Sequence, residues 1–551
     1  MFVLLDDQKT HRQLYFRDPH RVLTFRMGES VSAFFEQIES ALAEGFWIAG
    51  GFDYEFGAAL EPRLAQLTKE GTELVRLGVF DAPSDHPPAT MLYRASAPEL
   101  DLLPVWSEAD YIERFDAIQT YLRAGDVYQV NLTFPMVGET DADAAHLYAG
   151  FRRRQPGRYG GIVSLGGPEI ISFSPELFFE RQGADMRMRP MKGTRPKEAD
   201  DDMREDAKSR AENLMIVDLL RNDLSRLCVP GSVKVPELFA VEDYPTLLQM
   251  TSQVTGILQE ETSWDAIFRA LFPCGSVTGA PKIRAMEIIY ELEAGLRGPY
   301  CGSVGYISPE GDTAFSVAIR TALLAEGKLR YDVGSGVVLD SDGSDEYREC
   351  LLKADILSAQ PAMQFETLRN GPDGLVRAER HAARLGAPLP VIDPSETPQR
   401  IRVDLDAQGE TQVSIHPYPD AKDVLKLAIS RYPLTDTVQR TDIKTSARDF
   451  YDGERERVCA LSDADEVLFL GDDGLLKEGS FTSFFIERGD QLLTPRLPGL
   501  LPGVLRADLL AEGKAVEADL TLDDLREAEA IYVGNSLRGL MRATLISEFP
   551  I

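Results

Sequence analysis

Cysteine is scarce and unfavourably spaced for bridging. The chain has five, Cys228, Cys274, Cys301, Cys350 and Cys459, and no two stand in a Cys-x-x-Cys arrangement. An odd, scattered set excludes a disulfide framework and leads us to expect reduced thiols, as in a cytoplasmic protein. Long apolar runs are missing too: no stretch approaches the ~18 residues that cross a bilayer. The N-terminus, Met1-Phe2-Val3-Leu4-Leu5-Asp6-Asp7, reaches acidic residues too soon for a secretory signal. Positive charge is in deficit, with 58 Lys and Arg against 89 Asp and Glu, a net charge of −31. That balance argues against nucleic-acid partners, which need clustered cations, and against an anionic membrane surface. It leaves room for a small anionic substrate, since a local cation or bound metal overrides the global field.

What is present is ordinary for a globular chain: 44% hydrophobic and 27% charged residues over 551 positions, enough for two or three domains. The segment from Asp81 to Pro88, rich in Pro and Asp, is expected to be a surface loop. Ser107 and Asp110 form a capping-box signal ahead of Tyr111, Phe115, Ile118 and Leu122 at helical spacing, and Gly125 closes that helix. The alternation over 127–134 predicts a strand. Tyr128, Val130, Leu132 and Phe134 fall on one face; Val127, Gln129, Asn131 and Thr133 fall on the other. Such a strand is either half-exposed or lines a cavity with its polar face. A long helix is expected from about Ala199 to Leu227, and a short one over Glu346 to Ile356. The pattern restarts after Ser358-Ala359-Gln360-Pro361, which places a domain boundary near residue 360 and gives domains of 1–358 and 361–551.

Three carboxylates carry possible chemistry. Glu212 precedes the apolar run Leu214-Met215-Ile216-Val217, and Glu346 and Glu349 share a helix face at i, i+3. Hard oxygen ligands of this kind suit Mg²⁺, which keeps several waters and bridges to substrate oxygens. The competing reading pairs Glu349 with Lys353 at i, i+4 on a solvated face. Gly275-Ser276-Val277-Thr278-Gly279-Ala280-Pro281-Lys282 has the outline of a phosphate loop. However, Pro281 stands where a glycine must precede the lysine. A turn offering backbone N–H groups to a carboxylate and a plain turn into a helix carrying Ile283, Met286 and Ile289 both remain open.

Seven ordered segments together resemble the chorismate-utilising enzymes, the family of anthranilate, aminodeoxychorismate, isochorismate and salicylate synthases. The segments are 125–133, 174–176, 190–196, 212–223, 275–282, 318–321 and 334–338. The resemblance covers about residues 1–358 and implies a large α/β (α+β) domain of antiparallel sheets wrapped by helices. It implies that Glu212 and Glu349, with Glu346 nearby, hold Mg²⁺ against the ring carboxylate of chorismate. Tyr300, Arg320 and the Gly336 backbone would bind the enolpyruvyl carboxylate, which an arginine fork fits well. Gly193 and Thr194 would face the substrate. Gln129 occupies a position where the water-using members carry lysine, so its presence points to ammonia chemistry. Lys192 stands where anthranilate synthases usually have alanine. By the same resemblance it is a nucleophile on the ring, the mark of aminodeoxychorismate synthase, and Glu176 is the general acid for the departing 4-hydroxyl. Leu4-Leu5-Asp6-Asp7 is a degenerate match to a tryptophan-binding segment of the family. None of the five cysteines sits in a glutaminase nucleophile elbow, so a separate glutamine amidotransferase subunit is implied as the ammonia source.

Residues 361–551 resemble the class-IV pyridoxal-phosphate enzymes, notably aminodeoxychorismate lyase, with a two-subdomain α/β fold. The matching residues are His381 to Leu385, Asp442-Ile443-Lys444-Thr445 with Arg448 and Tyr451, and Glu478-Gly479-Ser480. Leu501 to Arg506 and Asn535-Ser536-Leu537-Arg538-Gly539 follow. The resemblance makes Lys444 the lysine that bonds to the cofactor, Glu478 the acid beside its ring nitrogen, and Arg384 and Ser536 phosphate contacts. Such a set is chemically coherent: an amine, an electron-sink partner and a phosphate anchor. Three departures stand out: no Gly-Asp-Gly lead-in before Phe365, a small subdomain shortened after Leu385, and Ser483 in place of the usual asparagine. The two resemblances together imply conversion of chorismate to 4-amino-4-deoxychorismate and then to 4-aminobenzoate and pyruvate, a route to folate.

Overall fold

The computed structural model describes residues 1–154, 158–196, 206–243, 247–293, 295–358, 362–406, 408–420 and 422–550. The chain divides into two compact units. The first comprises Met1–Pro87 and Pro98–Ser358; the second comprises Pro88–Ala97 and Ala359–Ile551.

Among the described residues, the first unit is built on a nine-stranded and a ten-stranded sheet, with antiparallel pairing at the strands that matter for the site. The two sheets pack face to face. Val3, Phe16, Val163 and Ile170 of one meet Ala49, Phe80 and Val304 of the other in a single apolar cluster. A second apolar mass joins Phe52, Phe56, Phe268, Phe272 and Phe315, with Phe52 and Phe268 stacked at 4.4 Å. Each such buried ring contributes about 1.5–3 kcal/mol.

Local signals explain the surrounding helices. Glu108–Ala124 begins at a capping box of Ser107 and Asp110 and ends at Gly125, whose φ of 80° suits glycine. Tyr111, Phe115, Ile118 and Leu122 form its buried stripe, as their spacing predicts. The strand Gln129–Glu139 follows. Contrary to the half-exposed alternative, residues 129–134 are buried on both faces. Phe134 lies between Trp106 and Tyr347 on one side. On the other, the Asn131 amide donates to Thr133 Oγ1 at 3.3 Å and meets Cys301 Sγ at 3.9 Å, while Arg297 and Glu293 bind the main chain at the Asn131 carbonyl and the Thr133 N–H. Tyr128, expected on the apolar face, is 67% exposed because the strand proper starts after it.

The long helix runs Ala207–Ser225, two residues short of Leu227; residues 199–205 lie outside the described residues. The helix expected over Glu346 to Ile356 is instead Gly343–Leu352 followed by a 3₁₀ turn, Asp355–Leu357. The Asp342 side chain caps it earlier than periodicity alone suggests.

The second unit has two layers of its own. Gln364–Gly371, Gly374–Leu375, Gln399–Leu405 and Thr411–Pro417 form a four-stranded antiparallel sheet around Leu368, Leu385, Ile401 and Val403. An eight-stranded mixed sheet, with Val424–Ile429 parallel to both of its neighbours, encloses a separate core that includes Leu427, Leu468, Phe484 and Val533. The helix Ala378–Leu385 ends at Gly386 with φ 75°, and the chain runs without helix or strand to Gln399.

Candidate functional site

In the first unit, Lys192 and Glu176 converge on Ser276. Lys192 Nζ donates to the Ser276 carbonyl oxygen at 3.2 Å. The Ser276 hydroxyl donates to Glu176 Oε1 at 2.7 Å. Burial pushes the Glu176 carboxyl up to about 7, against the lowering effects of that hydrogen bond and of the Lys192 charge. A carboxyl titrating near neutrality suits a proton donor. Ser276 was missed in the sequence reading, although it lies inside the quoted turn 275–282. That turn is not an anion cradle through its lysine: Lys282 Nζ is bound to Asp223 at 2.9 Å and to the Leu271 carbonyl at 3.1 Å.

Gln129 is buried, and among the described residues its Oε1 has no hydrogen-bond partner. Gly336 faces it so closely that a Cβ there would sit 2.2 Å from Gln129 Nε2. A side chain there would have to displace that amide, and with glycine the strand backbone stays open beside it. Tyr300 is buried, with its hydroxyl beside Gly334. Cys301 N–H donates to the Ala318 carbonyl at 2.9 Å, which brings the backbone carrying Tyr300 next to that of Arg320. Arg320 itself adopts a positive φ of 51°. The Gly193 carbonyl accepts from Gln249 at 2.7 Å, and the Thr194 backbone pairs with Gln249; the Thr194 side chain lies outside the described residues.

The three carboxylates are each placed differently. Glu346 is buried and accepts from Ser341 Oγ at 2.8 Å. Glu349 is exposed and pairs with Lys353 at 2.8 Å. Glu212 is half-buried on the helix Ala207–Ser225. Among the described residues no group of three His, Cys, Asp or Glu side chains is gathered as a metal centre. For the three to share one ion, Glu349 would have to leave Lys353. Leu5, Asp6 and Asp7 line a cavity of about 590 Å³ elsewhere in this unit.

The second unit contains a cavity of about 430 Å³ that gathers Arg384, Lys444, Arg448, Tyr451, Glu478 and Ser536. Lys444 is only partly exposed, and its ammonium lies 4.6 Å from the Phe365 ring centre. Burial lowers its pKa to about 7; Glu366 opposes that shift, and Arg384, Arg448 and Arg402 add to it. Burial raises Glu478 to about 7 even though it accepts from the Tyr451 hydroxyl at 2.6 Å and the Leu501 N–H at 2.9 Å.

A second buried network carries Arg384. Glu366 accepts from Arg384 Nε and Nη2, both at 2.6 Å, and meets His381 Nδ1 at 2.7 Å. The other His381 nitrogen, Nε2, lies 2.7 Å from Ser536 Oγ. Burial would raise Glu366, but the hydrogen bonds from Arg384 and His381 hold it at about 2. Sequence reasoning placed Arg384 and Ser536 but missed Glu366 and His381 as their organisers. The signal was available: His381 and Arg384 are three apart on one helix, so both face the strand that carries Glu366. The Ser483 substitution also has a local reason. A Cβ on Gly503 would lie 2.2 Å from Ser483 Oγ, so the loop backbone closes onto a small side chain.

The ordered motifs, the two antiparallel sheets and the buried Lys192–Ser276–Glu176 cluster point one way, and comparison with known families decides the matter. Residues 2–359 match the chorismate binding enzyme family. The chain belongs to the chorismate binding enzymes. Residues 406–546 match the amino-transferase class IV family. Among individual relatives, aminodeoxychorismate synthase component 1 of Klebsiella aerogenes is 41% identical over 257 residues. That alignment covers 45% of this chain and 57% of the relative. Anthranilate synthase component 1 of Streptomyces coelicolor is 40% identical over 257 residues, covering 45% and 50%. The chain spans less than two thirds of the length of either relative. The crystal structure of anthranilate synthase component I from Streptococcus pneumoniae superposes with a TM-score of 0.56 at 23% identity. It covers 65% of this chain and 92% of that one, a likeness of fold.

In this chorismate binding enzyme the class-IV match implies pyridoxal phosphate in the second unit. The residues fit the group. The cavity walls carry six arginines and Lys444 against only two carboxylates, Asp452 and Glu478, in a chain of net charge −31. An amine with a depressed pKa and a buried acid with a raised one stand ready for a carbonyl and a ring nitrogen. No helix among the described residues is long and apolar enough to cross a membrane.

Proposed function

We propose that the first unit aminates chorismate to 4-amino-4-deoxychorismate, using ammonia from a glutamine amidotransferase partner. We further propose that the second eliminates pyruvate from that product to give 4-aminobenzoate. The observation that carries the first step is Lys192 held beside Glu176 through Ser276. Chorismate binding relatives of similar identity bear both the aminodeoxychorismate and the anthranilate synthase names. Lys192 favours the first, because anthranilate synthases usually carry alanine at that position.

The atoms balance as follows. The Lys192 amine, in its free-base form, attacks the ring, and the 4-hydroxyl leaves as water with a proton from Glu176. Ammonia then adds at C4 and gives its surplus proton back to the Glu176 carboxylate, and the lysine amine is expelled. The net change is replacement of hydroxyl by amino with release of one water. Gln129 presents a neutral amide that activates no water, so ammonia meets no built-in competitor. Tyr300, Arg320 and the Gly336 backbone receive the enolpyruvyl carboxylate, and Gly193 and Thr194 face the ring. Glu212, Glu346 and Glu349 would hold Mg²⁺, which would neutralise the ring carboxylate of chorismate.

In the second unit, Lys444 would carry pyridoxal phosphate, Glu478 would face its ring nitrogen, and Arg384 and Ser536 would face its phosphate. The cofactor supplies an electron sink for the carbon next to the substrate nitrogen. Glu478 would keep a proton at the cofactor's ring nitrogen. The Lys444 amine, titrating near neutrality, takes up and returns the proton of the reacting carbon. The arginines that remain on the cavity wall match the two carboxylates of the substrate.

The test is product analysis with chorismate, Mg²⁺ and ammonia, with and without pyridoxal phosphate. Aminodeoxychorismate alone is expected without the cofactor, and 4-aminobenzoate with pyruvate when it is supplied. Anthranilate as the main product would overturn the first assignment. Lys444→Ala should stop at aminodeoxychorismate and lose the absorption band of the lysine-bound cofactor, which borohydride removes from the wild type.

A further inference from the structure

The second unit is not built from C-terminal sequence alone. Pro88–Ala97 belongs to it, although residues 87 and 98 on either side belong to the first unit. Composition suggests an exposed loop running up to Pro88, and the ten residues from Pro88 do the opposite. Ala89–Leu92 forms a helical turn, and Leu92 and Tyr93 are almost fully buried, at 1% and 3% exposure. The Ala95 N–H donates to the Thr437 carbonyl at 2.9 Å.

Tyr93 makes the principal contact. Its hydroxyl donates to Glu454 Oε1 at 3.1 Å. Glu454 is fully buried and also accepts from Ser430 at 2.7 Å and twice from Arg457, at 2.9 and 2.7 Å. The Tyr93 ring meets Phe450 edge-on at 5.3 Å, with the planes at 88°. Phe450 and Tyr451 both pack on Phe469. Phe450, Tyr451 and Glu454 lie on one helix, Asp449–Leu461, and Tyr451 holds Glu478 at 2.6 Å. Thr437 stands in the stretch that leads to Lys444. The ten residues thus brace the stretch that leads to the amine and the helix whose Tyr451 holds the acid. A buried carboxylate with four donors and an edge-on aromatic pair are costly to disturb.

We infer that Pro88–Ala97 is an integral strap of the C-terminal cavity and that Tyr93 is a positioning residue for Tyr451, and through it for Glu478. The strap's role at the cofactor rests on the pyridoxal-phosphate reading of that cavity. Carried on the N-terminal sequence, it makes the second unit dependent on the chorismate-binding part of the chain instead of a separable appendage.

The test uses the full chain. Titration of Tyr93→Ala with pyridoxal phosphate, followed by the absorption band, should show affinity reduced about tenfold. The pH profile of the band should shift with it, because the Tyr451–Glu478 hydrogen bond is disturbed. Tyr93→Phe keeps the ring and should stay within about threefold of the wild type. Ammonia-dependent consumption of chorismate should be unchanged in both. Wild-type affinity and pH profile in Tyr93→Ala would overturn the positioning role. Hydrogen exchange on the unmutated chain guards against a variant that fails to fold. Peptides within 88–97 should exchange as slowly as those within 449–461, and exchange at the rate of an open loop would overturn the strap. A wild-type protein with slow exchange there but no cofactor band would instead sink the pyridoxal-phosphate reading alone.

Discussion

Lys192 and Glu176 are tied to opposite ends of one residue. The lysine donates to the Ser276 carbonyl at 3.2 Å, and the Ser276 hydroxyl donates to the glutamate at 2.7 Å. The proposed nucleophile and proton donor are thereby registered to each other without touching. Lys192→Ala should slow aminodeoxychorismate formation by roughly a hundredfold or more with the fold intact, and traces of anthranilate should appear. Chromatographic product analysis checks this, and a variant at the wild-type rate would remove the nucleophile.

Glu176 gives the first step a pH signature. Burial raises its pKa to about 7, so the proton-donating form is complete below that value and is lost as pH rises through it. At a fixed concentration of unprotonated ammonia, kcat/KM should fall on the alkaline side of about pH 7. Glu176→Gln should be slower by about 10²–10⁴ and lack that limb. A wild-type profile that stays flat from pH 6 to 9 would contradict the assignment.

The metal proposal is sharpened by what the carboxylates do now. Glu349 is exposed and paired with Lys353. If it serves Mg²⁺, the pair must open, and Glu349→Gln should raise the Mg²⁺ concentration needed for half-maximal turnover by about tenfold or more. If the pair is only a surface contact, the variant should cost less than about 1 kcal/mol of stability and leave Mg²⁺ dependence alone. Metal titration of turnover separates these outcomes.

Glu366 is expected to matter for stability as well as for the cofactor. Its pKa is held at about 2 against an ordinary 4.5. A depressed carboxylate stabilises the fold above its ordinary pKa, and that stability is lost as pH falls toward the lower value. At 1.36 kcal/mol per unit the contribution is at most roughly 3 kcal/mol. Glu366→Gln should lower the melting temperature at pH 7, and the gap to the wild type should narrow below about pH 4. Thermal melts across pH measure it.

Much of this protein could be read along the chain because its signals are local. The helix from Ser107 to Gly125 carries its own caps and apolar stripe, and both survive unchanged in the fold. The ordered motifs around Lys192 and Glu212 place the chain among the chorismate binding enzymes, and the segments around Lys444 and Glu478 place its C-terminal part in class IV. Periodicity could not tell that 129–134 is buried on both sides, because Cys301 and Gly336, from far along the chain, close over Asn131 and Gln129 on the polar face. Nor could spacing find Ser276, which joins residues 192 and 176 only once two sheets are packed. Sequence alone likewise left Pro88–Ala97 as an unremarked continuation of a loop. Its place beneath Phe450 and Glu454 depends on contacts more than 350 residues apart in the chain. Such long-range burial is set by which apolar and charged groups find each other in three dimensions, and no local propensity encodes it.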